Sequence, residues 1–325
     1  MTVDMIVNAT AYRVANDRGL RQSLRESAAR AGARVHETYT LADLDQVALD
    51  LSSRGTDGVV LVGGDGSHMA GVSALARAFG ALPPTGLAPG GTVCTIARNF
   101  GVRGPAGAYS RRLVEAAASG HARIEHTATL RVRDDQGREH VGFIFGAGLV
   151  ARFFDVYDRS ARRGRLTAAG IAARVFAGSL IGSSFARRIL DPTPCAIAID
   201  GATHASREWS LVLASVLRDV GLHLRAAYRA GEVAGRFHVV ASGMAPSALG
   251  RQLPRVLAGR PLRGEPRVDD LARSVRLRFA AGLGSYVLDG DVFRAHEIDV
   301  EPGPDLPLLL PAVGPIASRR GVPQP

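Results

Sequence analysis

The apolar run Gly58-Val59-Val60-Leu61-Val62 passes directly into Gly63-Gly64-Asp65-Gly66-Ser67. A segment with no polar alternation is a strand buried on both faces, which calls for a mainly parallel sheet covered by helices on each side. The glycines that follow let the backbone turn and come close to a ligand. A helix is predicted from there to about Phe79. Around this unit strands and helices alternate. Met5 to Val7 and Ala33 to His36 read as strands. Asp17 to Arg30 reads as a helix carrying Leu20, Leu24 and Ala28, and Leu41 to Ser53 as one with the stripe Leu44, Val47, Ala48 and Leu51. Thr85 to Ala88 is a further strand, and Pro89-Gly90-Gly91-Thr92 opens another helix. The expected fold class is α/β, with a doubly wound domain at residues 1–120.

Beyond His121 short segments take over: Ala128 to Arg133, His140 to Phe145, Cys195 to Ile199, Trp209 to Ala214, Arg236 to Ala241 and Val275 to Phe279. Turn residues such as Asp134-Asp135-Gln136-Gly137 separate them, so residues 121–301 are predicted to form a mainly antiparallel β domain. Asp158 to Leu190 interrupts it with a segment expected to be helical. Residues 302–325 are rich in proline and apolar side chains, show no clear periodicity and read as a tail, with packing back on the first domain left open.

Composition excludes several classes. All 40 basic residues are arginine, and a P-loop, which needs its lysine on the phosphates, is therefore ruled out. The net charge of +10 suits a polyanion such as phospholipid headgroups or nucleotide phosphates, although a GC-rich genome would produce an arginine-only composition as readily. Aromatic residues at 6%, with no interleaved basic motif, argue against a nucleic-acid partner. Cys94 and Cys195 lie far apart and form no zinc or disulfide pattern. Without an apolar run of transmembrane length or a targeting pattern at Met1 to Asn8, the expected location is the cytoplasm, with peripheral contact on the inner membrane face left open.

The glycine loops carry the chemistry. Gly63-Gly64-Asp65-Gly66-Ser67 lies between a buried strand and a helix N-terminus, where free N–H groups and the positive dipole end suit phosphate. Pro89-Gly90-Gly91-Thr92 repeats the device at a neighbouring strand end, so two loops can clamp one polyphosphate. The first domain is accordingly expected to bind nucleotide.

These motifs, with Val93-Cys94-Thr95-Ile96-Ala97-Arg98 and the later Asp289-Gly290-Asp291, resemble the diacylglycerol kinase and sphingosine kinase catalytic family. That family shows a GGDGT loop, a P-x-G-T segment about thirty residues on and a late D-G-E motif, so the resemblance spans most of the chain. It implies an α/β nucleotide domain followed by a β-sandwich lipid-substrate domain, with the active site between them. The implied activity is transfer of the γ-phosphate of ATP, with magnesium, to a hydroxyl of a lipid of diacylglycerol, sphingoid-base or ceramide type. Gly63, Gly64, Asp65, Gly66 and Ser67 would hold ATP phosphates and their magnesium, with Gly91 and Thr92 adding contacts. Asn8 resembles the asparagine of the family's N-P-x-S-G segment, and Thr38 a threonine near the end of the second strand. Asp291 stands at the family's catalytic glutamate, the proton acceptor. Asp289 is the neighbouring acid, orienting it or helping to hold magnesium. On the motif alone, Asp289-Gly290-Asp291 reads as a tight hairpin turn, and the two upstream loops are what favour catalysis.

The sequence departs from the pattern at Ser67 for threonine, Cys94 for a polar residue, Asp291 for glutamate, and Ala9 to Tyr12 for the proline and Ser-Gly. The family's structural magnesium loop corresponds to Glu232-Val233-Ala234-Gly235, where Ala234 offers no ligand, so no structural metal is expected there. Alternatives are a NAD kinase, a phosphofructokinase-like kinase and a degenerate nucleotide- or lipid-binding protein. Asp158 to Leu190 carries Arg159, Arg162, Arg163, Arg165, Arg174, Arg187 and Arg188 among apolar residues, with no acid between Asp158 and Asp191. It reads either as a core helix with solvated arginines or as a surface for an anionic membrane. A homodimer is left open.

Overall fold

The computed structural model describes residues 1–160 and 164–311. The first elements are β1 (Val3–Asn8), α1 (Tyr12–Asn16), α2 (Arg18–Ala31), β2 (Arg34–Thr38), α3 (Leu41–Arg54), β3 (Gly58–Gly63) and α4 (Asp65–Phe79). They continue with β4 (Thr85–Pro89), α5 (Thr95–Asn99), α6 (Ala106–Ala118) and β5 (Arg123–Thr127). Strands β2, β1, β3 and β4 lie side by side in that order, all parallel. Period two divides their side chains between two cores. Met5, Val7, Val60 and Val62 meet Leu20 and Leu24 of α2 and Leu113 of α6, whereas Ile6, Val59 and Leu61 meet Leu44 and Leu51 of α3 and Val72 and Leu75 of α4. Helix α2 begins where the Asp17 carboxylate accepts from the Leu20 amide and ends at left-handed Gly32; α3 begins with a Thr40–Asp43 capping box.

The second region comprises β6 (Leu130–Asp134), β7 (Glu139–Gly142), β8 (Ile144–Gly148), α7 (Leu149–Asp158), α8 (Arg165–Leu180), α9 (Ser184–Leu190) and β9 (Thr193–Ile199). Next come β10 (Ala202–Thr203), β11 (Glu208–Trp209), β12 (Leu211–Ser215), β13 (Phe237–Ser242), α10 (Pro246–Gly250), α11 (Leu253–Leu257) and β14 (Arg267–Ala272). It closes with β15 (Val275–Phe279), β16 (Gly284–Leu288), β17 (Asp291–Ala295) and β18 (Glu297–Pro302). Two antiparallel sheets, β10-β9-β15-β18-β6-β7 and β14-β13-β12-β8-β16-β17, face each other. Phe145, Phe237 and Tyr286 from one meet Val132, Ile197, Leu277, Ile298 and, on β11 paired to β9, Trp209 from the other in a single core. In β15 the inward Val275, Leu277 and Phe279 alternate with outward Arg276 and Arg278. The fold is thus a doubly wound α/β unit followed by a β-sandwich.

Two segments extend the first sheet past the expected boundary at residue 120. Strand β5 stays with it, and β19 (Leu306–Leu310), from the segment read as a tail, runs parallel to β4 and antiparallel to β5. Leu306, Leu308, Leu309 and Leu310 are buried there. The rest of that segment, 312–325, lies outside the described residues.

Helix α4 joins the two regions. The Ser73 hydroxyl donates to the Val141 carbonyl (3.2 Å) and accepts from the Val141 amide (2.8 Å). Phe100 meets Phe143 edge-on at 5.8 Å. The carboxyl ends of β1, β3 and β4 therefore open into a cleft that the sandwich closes from the other side.

Candidate active site

The two glycine loops touch. The Gly63 carbonyl accepts from the amides of Gly90 (2.7 Å) and Gly91 (3.1 Å). A side chain on Gly91 would put its Cβ 2.5 Å from the Gly64 Cα, so this approach needs glycine. Asp65 clasps the loops: its carboxylate accepts from the amides of Thr95 and Ile96, each at 2.9 Å, and supplies the first turn of α5 with acceptors. Burial raises its proton affinity, and the two amides oppose that. Ser67 Oγ accepts from Asn8 Nδ2 (2.8 Å) and from the Gly64 amide (3.3 Å). Asn8 is fixed in turn, because its Oδ1 accepts from the amide (2.9 Å) and hydroxyl (2.7 Å) of Thr10.

Asp289 and Gly290 form the two-residue turn between β16 and β17, with φ of 50° and 98°. Positive φ at both positions is what a type I′ hairpin demands, and Asp-Gly is a preferred pair for it. The turn and the site are one feature. Asp289 points inward, 4% exposed, and its carboxylate accepts from the amides of Phe143 (2.9 Å) and Ile144 (2.8 Å). Burial pushes its proton affinity well up, against the pull of those amides. Asp291 points the other way, across the cleft. A Cβ on Gly66, in the first turn of α4, would lie 2.5 Å from Asp291 Oδ2. The Asp291 carboxyl stays open to the cleft while walled in by protein behind it. Burial first, then the carboxylates of Asp158 and Asp65, push it up to about 6.

A cavity of about 210 Å³ sits beside Ser67, at the carboxyl ends of β1, β2 and β3. Asn8, Thr38 and Ser67 all line it. The strand order reverses between β1 and β3, the point where open α/β sheets take ligands. Thr92 lies on the sandwich side, its Oγ1 3.5 Å from the Tyr157 hydroxyl of α7. The expected residues thus fall into three groups: Asn8, Thr38 and Ser67 at the cavity; Gly63, Gly64, Asp65, Gly66 and Gly91 at the loop junction; Thr92 and Asp291 in the interdomain cleft. Asp289 stands behind the cleft as its support.

Side chains beyond these also shape the site. Arg98 is held below its ordinary value by burial, then by the guanidinium of Arg165 and, less, that of Arg13. None of the three arginines forms an ion pair among the described residues, so their charge is available to an anion. Asn99 Nδ2 donates to the Asp219 carbonyl (2.8 Å) and ties α5 to the sandwich. Phe154 of α7 lies against Gly290, beside Phe153 and Tyr157. Arg98 stands in the loop motif and was within reach of sequence reading; the Asn99 tie and the aromatic wall depend on residues remote in sequence.

As for magnesium, no group of three His, Cys, Asp or Glu side chains among the described residues could hold a metal ion. The open carboxylate of Asp291 beside the glycine loops fits the commoner arrangement, in which one or two carboxylates hold an ion carried on substrate phosphates.

Residues 2–124 match the family model described as the diacylglycerol kinase catalytic domain. No curated protein matches the chain by sequence. A solved structure reported as a diacylglycerol kinase from Bacillus anthracis str. Sterne shares the fold at a TM-score of 0.62 and 15% identity, covering 96% of this chain and 98% of its own. A second from that strain, assigned the same activity provisionally, gives 0.67 and 16%, covering 96% of each chain. Residues 2–124 are thus similar to the diacylglycerol kinase catalytic domain, and the chain as a whole shares the fold of these two structures.

Proposed function

We propose that the protein is an ATP-dependent lipid kinase, with Asp291 as the base that takes the proton of the lipid hydroxyl. The observation that carries this reading is the placement of the Asp291 carboxyl against Gly66, where a phosphate held at the N-terminus of α4 would meet it. The glycine loops and the Ser67 hydroxyl hold the phosphates, and Arg98 adds positive charge. Magnesium, when bound beside Asp291, neutralises phosphate charge. The acceptor hydroxyl gives its proton to Asp291, its oxygen bonds to the γ-phosphorus, and the bond from that phosphorus to the bridging oxygen breaks to release ADP. Asp289 is a positioning residue: two backbone amides already hold its carboxylate, which favours orientation over metal binding. The aromatic wall of Phe153, Phe154 and Tyr157 beside the turn suits an acyl or sphingoid acceptor. The family match leaves the NAD-kinase and phosphofructokinase readings without an observation of their own.

An anionic membrane is the proposed partner. No single helix among the described residues is long and apolar enough to cross a membrane, yet α8 and α9, bent by 105°, are jointly apolar. Leu166 is 89% and Ile181 83% exposed, and Arg174, Arg187 and Arg188 are exposed alongside them. Arg162 and Arg163 lie outside the described residues. Apolar side chains ringed by arginine fit the headgroup boundary of an anionic bilayer.

The test is turnover with labelled ATP and a panel of diacylglycerol, sphingoid base and ceramide, followed by product mass. Asp291→Asn should lower turnover by about 10²–10⁴-fold while nucleotide binding survives. Near-full turnover in that variant places the base elsewhere. Binding to vesicles containing phosphatidylglycerol should fall with salt, and Leu166→Asp with Ile181→Asp should abolish it; unchanged binding excludes α8 as the contact.

A further inference from the structure

We infer that the cavity beside Ser67 grips its base by shape and apolar contact and does not distinguish adenine from guanine, so that GTP serves as phosphoryl donor about as well as ATP. This rests on the reading of the cavity as the nucleoside end of a nucleotide site. At about 210 Å³ it is smaller than the pockets that hold drug-sized ligands and suits a single base. Ile6, Leu44, Leu61, Val62 and Ala70 line it with apolar surface, and the exposed Tyr39 and Leu41 stand at its rim.

The polar groups of the wall are engaged within the protein. The amides of Tyr39 and Thr40 both donate to Asp43 Oδ2, at 2.9 and 3.0 Å. Thr40 Oγ1 accepts from the Asp43 amide at 3.1 Å, and the Tyr39 hydroxyl donates to Glu37 at 3.2 Å. Both donors of Thr10 go to Asn8 Oδ1. Thr38 is the buried polar side chain of the lining, and its hydroxyl donates to the Val7 carbonyl at 3.5 Å. What is left is the Ser67 hydroxyl and one N–H of Asn8, at the glycine-loop end where sugar or phosphate would lie, and the exposed residues of the rim.

Strong discrimination between isosteric ligands arises when the wrong one leaves a buried donor or acceptor of the protein unpaired. Adenine and guanine differ at the edge that carries an amino group in one and a carbonyl in the other. An exposed rim group facing the wrong edge returns to water at little cost. The Thr38 hydroxyl, at 3.5 Å from the Val7 carbonyl, can rotate to donate or accept and so meets either base edge.

Binding of magnesium-ATP, magnesium-GTP and magnesium-tripolyphosphate to the purified full chain tests this. The dissociation constants of ATP and GTP should agree within about tenfold, and both should be tighter than that of tripolyphosphate. Tyr39→Ala, at an exposed position that tolerates truncation, should weaken both nucleotides on the order of tenfold and leave tripolyphosphate unchanged. A preference for ATP over GTP of about a hundredfold or more, well beyond that of a pocket that reads no polar edge, overturns the inference and leaves the nucleotide site standing; so does a loss confined to one nucleotide. If neither nucleotide binds better than tripolyphosphate, no base is held in the cavity, and the nucleotide reading falls with the inference.

Discussion

Asp291 is asked to do two things that pull in opposite directions. In its proposed role as base it must be ionised, so turnover should rise with pH through about 6 and level off above. Its folded value lies above the ordinary carboxylate value, so the folded chain binds that proton more tightly than the unfolded one. The stability this contributes is complete below the unfolded value of about 4 and is lost as pH rises through the folded one. Asp291→Asn cannot ionise. Relative to the parent, its melting temperature should therefore be higher at pH 8 than at pH 4, while its turnover is low throughout. Melting curves of both proteins across that range check the sign, and a difference that stays constant with pH would mean that Asp291 is not held up by its surroundings. This residue was legible in sequence through its motif. The inward turn of Asp289 and the clasp of Asp65 on Thr95 and Ile96 were not, because a carboxylate's choice between ligand and backbone amides depends on what the fold brings to it.

At the scale of elements, strong local signals produced close agreement. The apolar spacing predicted Asp17 to Arg30 and Leu41 to Ser53, and the helices observed are Arg18–Ala31 and Leu41–Arg54, bounded by their caps and by Gly32 and Gly55. Strand β14 was missed, since Asp269 and Asp270 stand in its middle. Asp269 is tolerated there because the Tyr228 hydroxyl (2.9 Å) and His238 Nε2 (2.8 Å) both bond to it, contacts that no local pattern displays. Strand β19 was missed because Pro307 interrupts a run too short to show a period. Pro307 does not break the sheet: it is the second residue of β19, outside the one position, Leu308, at which β19 pairs with β4. Leu308 of β19 is 1% exposed and packs in the core under α3 and α4. Leu308→Ala should cost about 2–5 kcal/mol by chemical denaturation, the range for truncating a buried leucine. A cost near zero would show that β19 is dispensable to the first sheet.

At the scale of the whole molecule, the proposed nucleotide site and the proposed base belong to different halves. The glycine loops and the cavity sit on the α/β unit, whereas Asp291 comes from the sandwich, so nucleotide affinity and catalytic rate should be separable by loosening the joint between them. The sequence shows both halves but not the joint, whose pairs lie 68 residues apart in Ser73–Val141 and 120 apart in Asn99–Asp219. Asn99 is the more telling of the two: its amide spans from the Thr95 carbonyl (3.0 Å) to the Asp219 carbonyl (2.8 Å), linking the segment clasped by Asp65 to the sandwich. Asn99→Ala removes that link without touching the cavity. Because misplacing reacting groups by about 1 Å costs on the order of 10²-fold, kcat should fall by about ten- to a hundredfold. The dissociation constant for ATP, which the α/β unit sets, should change by no more than about threefold, as expected of an interaction felt mainly in the transition state. A parallel loss of affinity and rate would instead show that the segment 94–99 shapes the phosphate loops themselves, and that the interdomain joint is not what places Asp291.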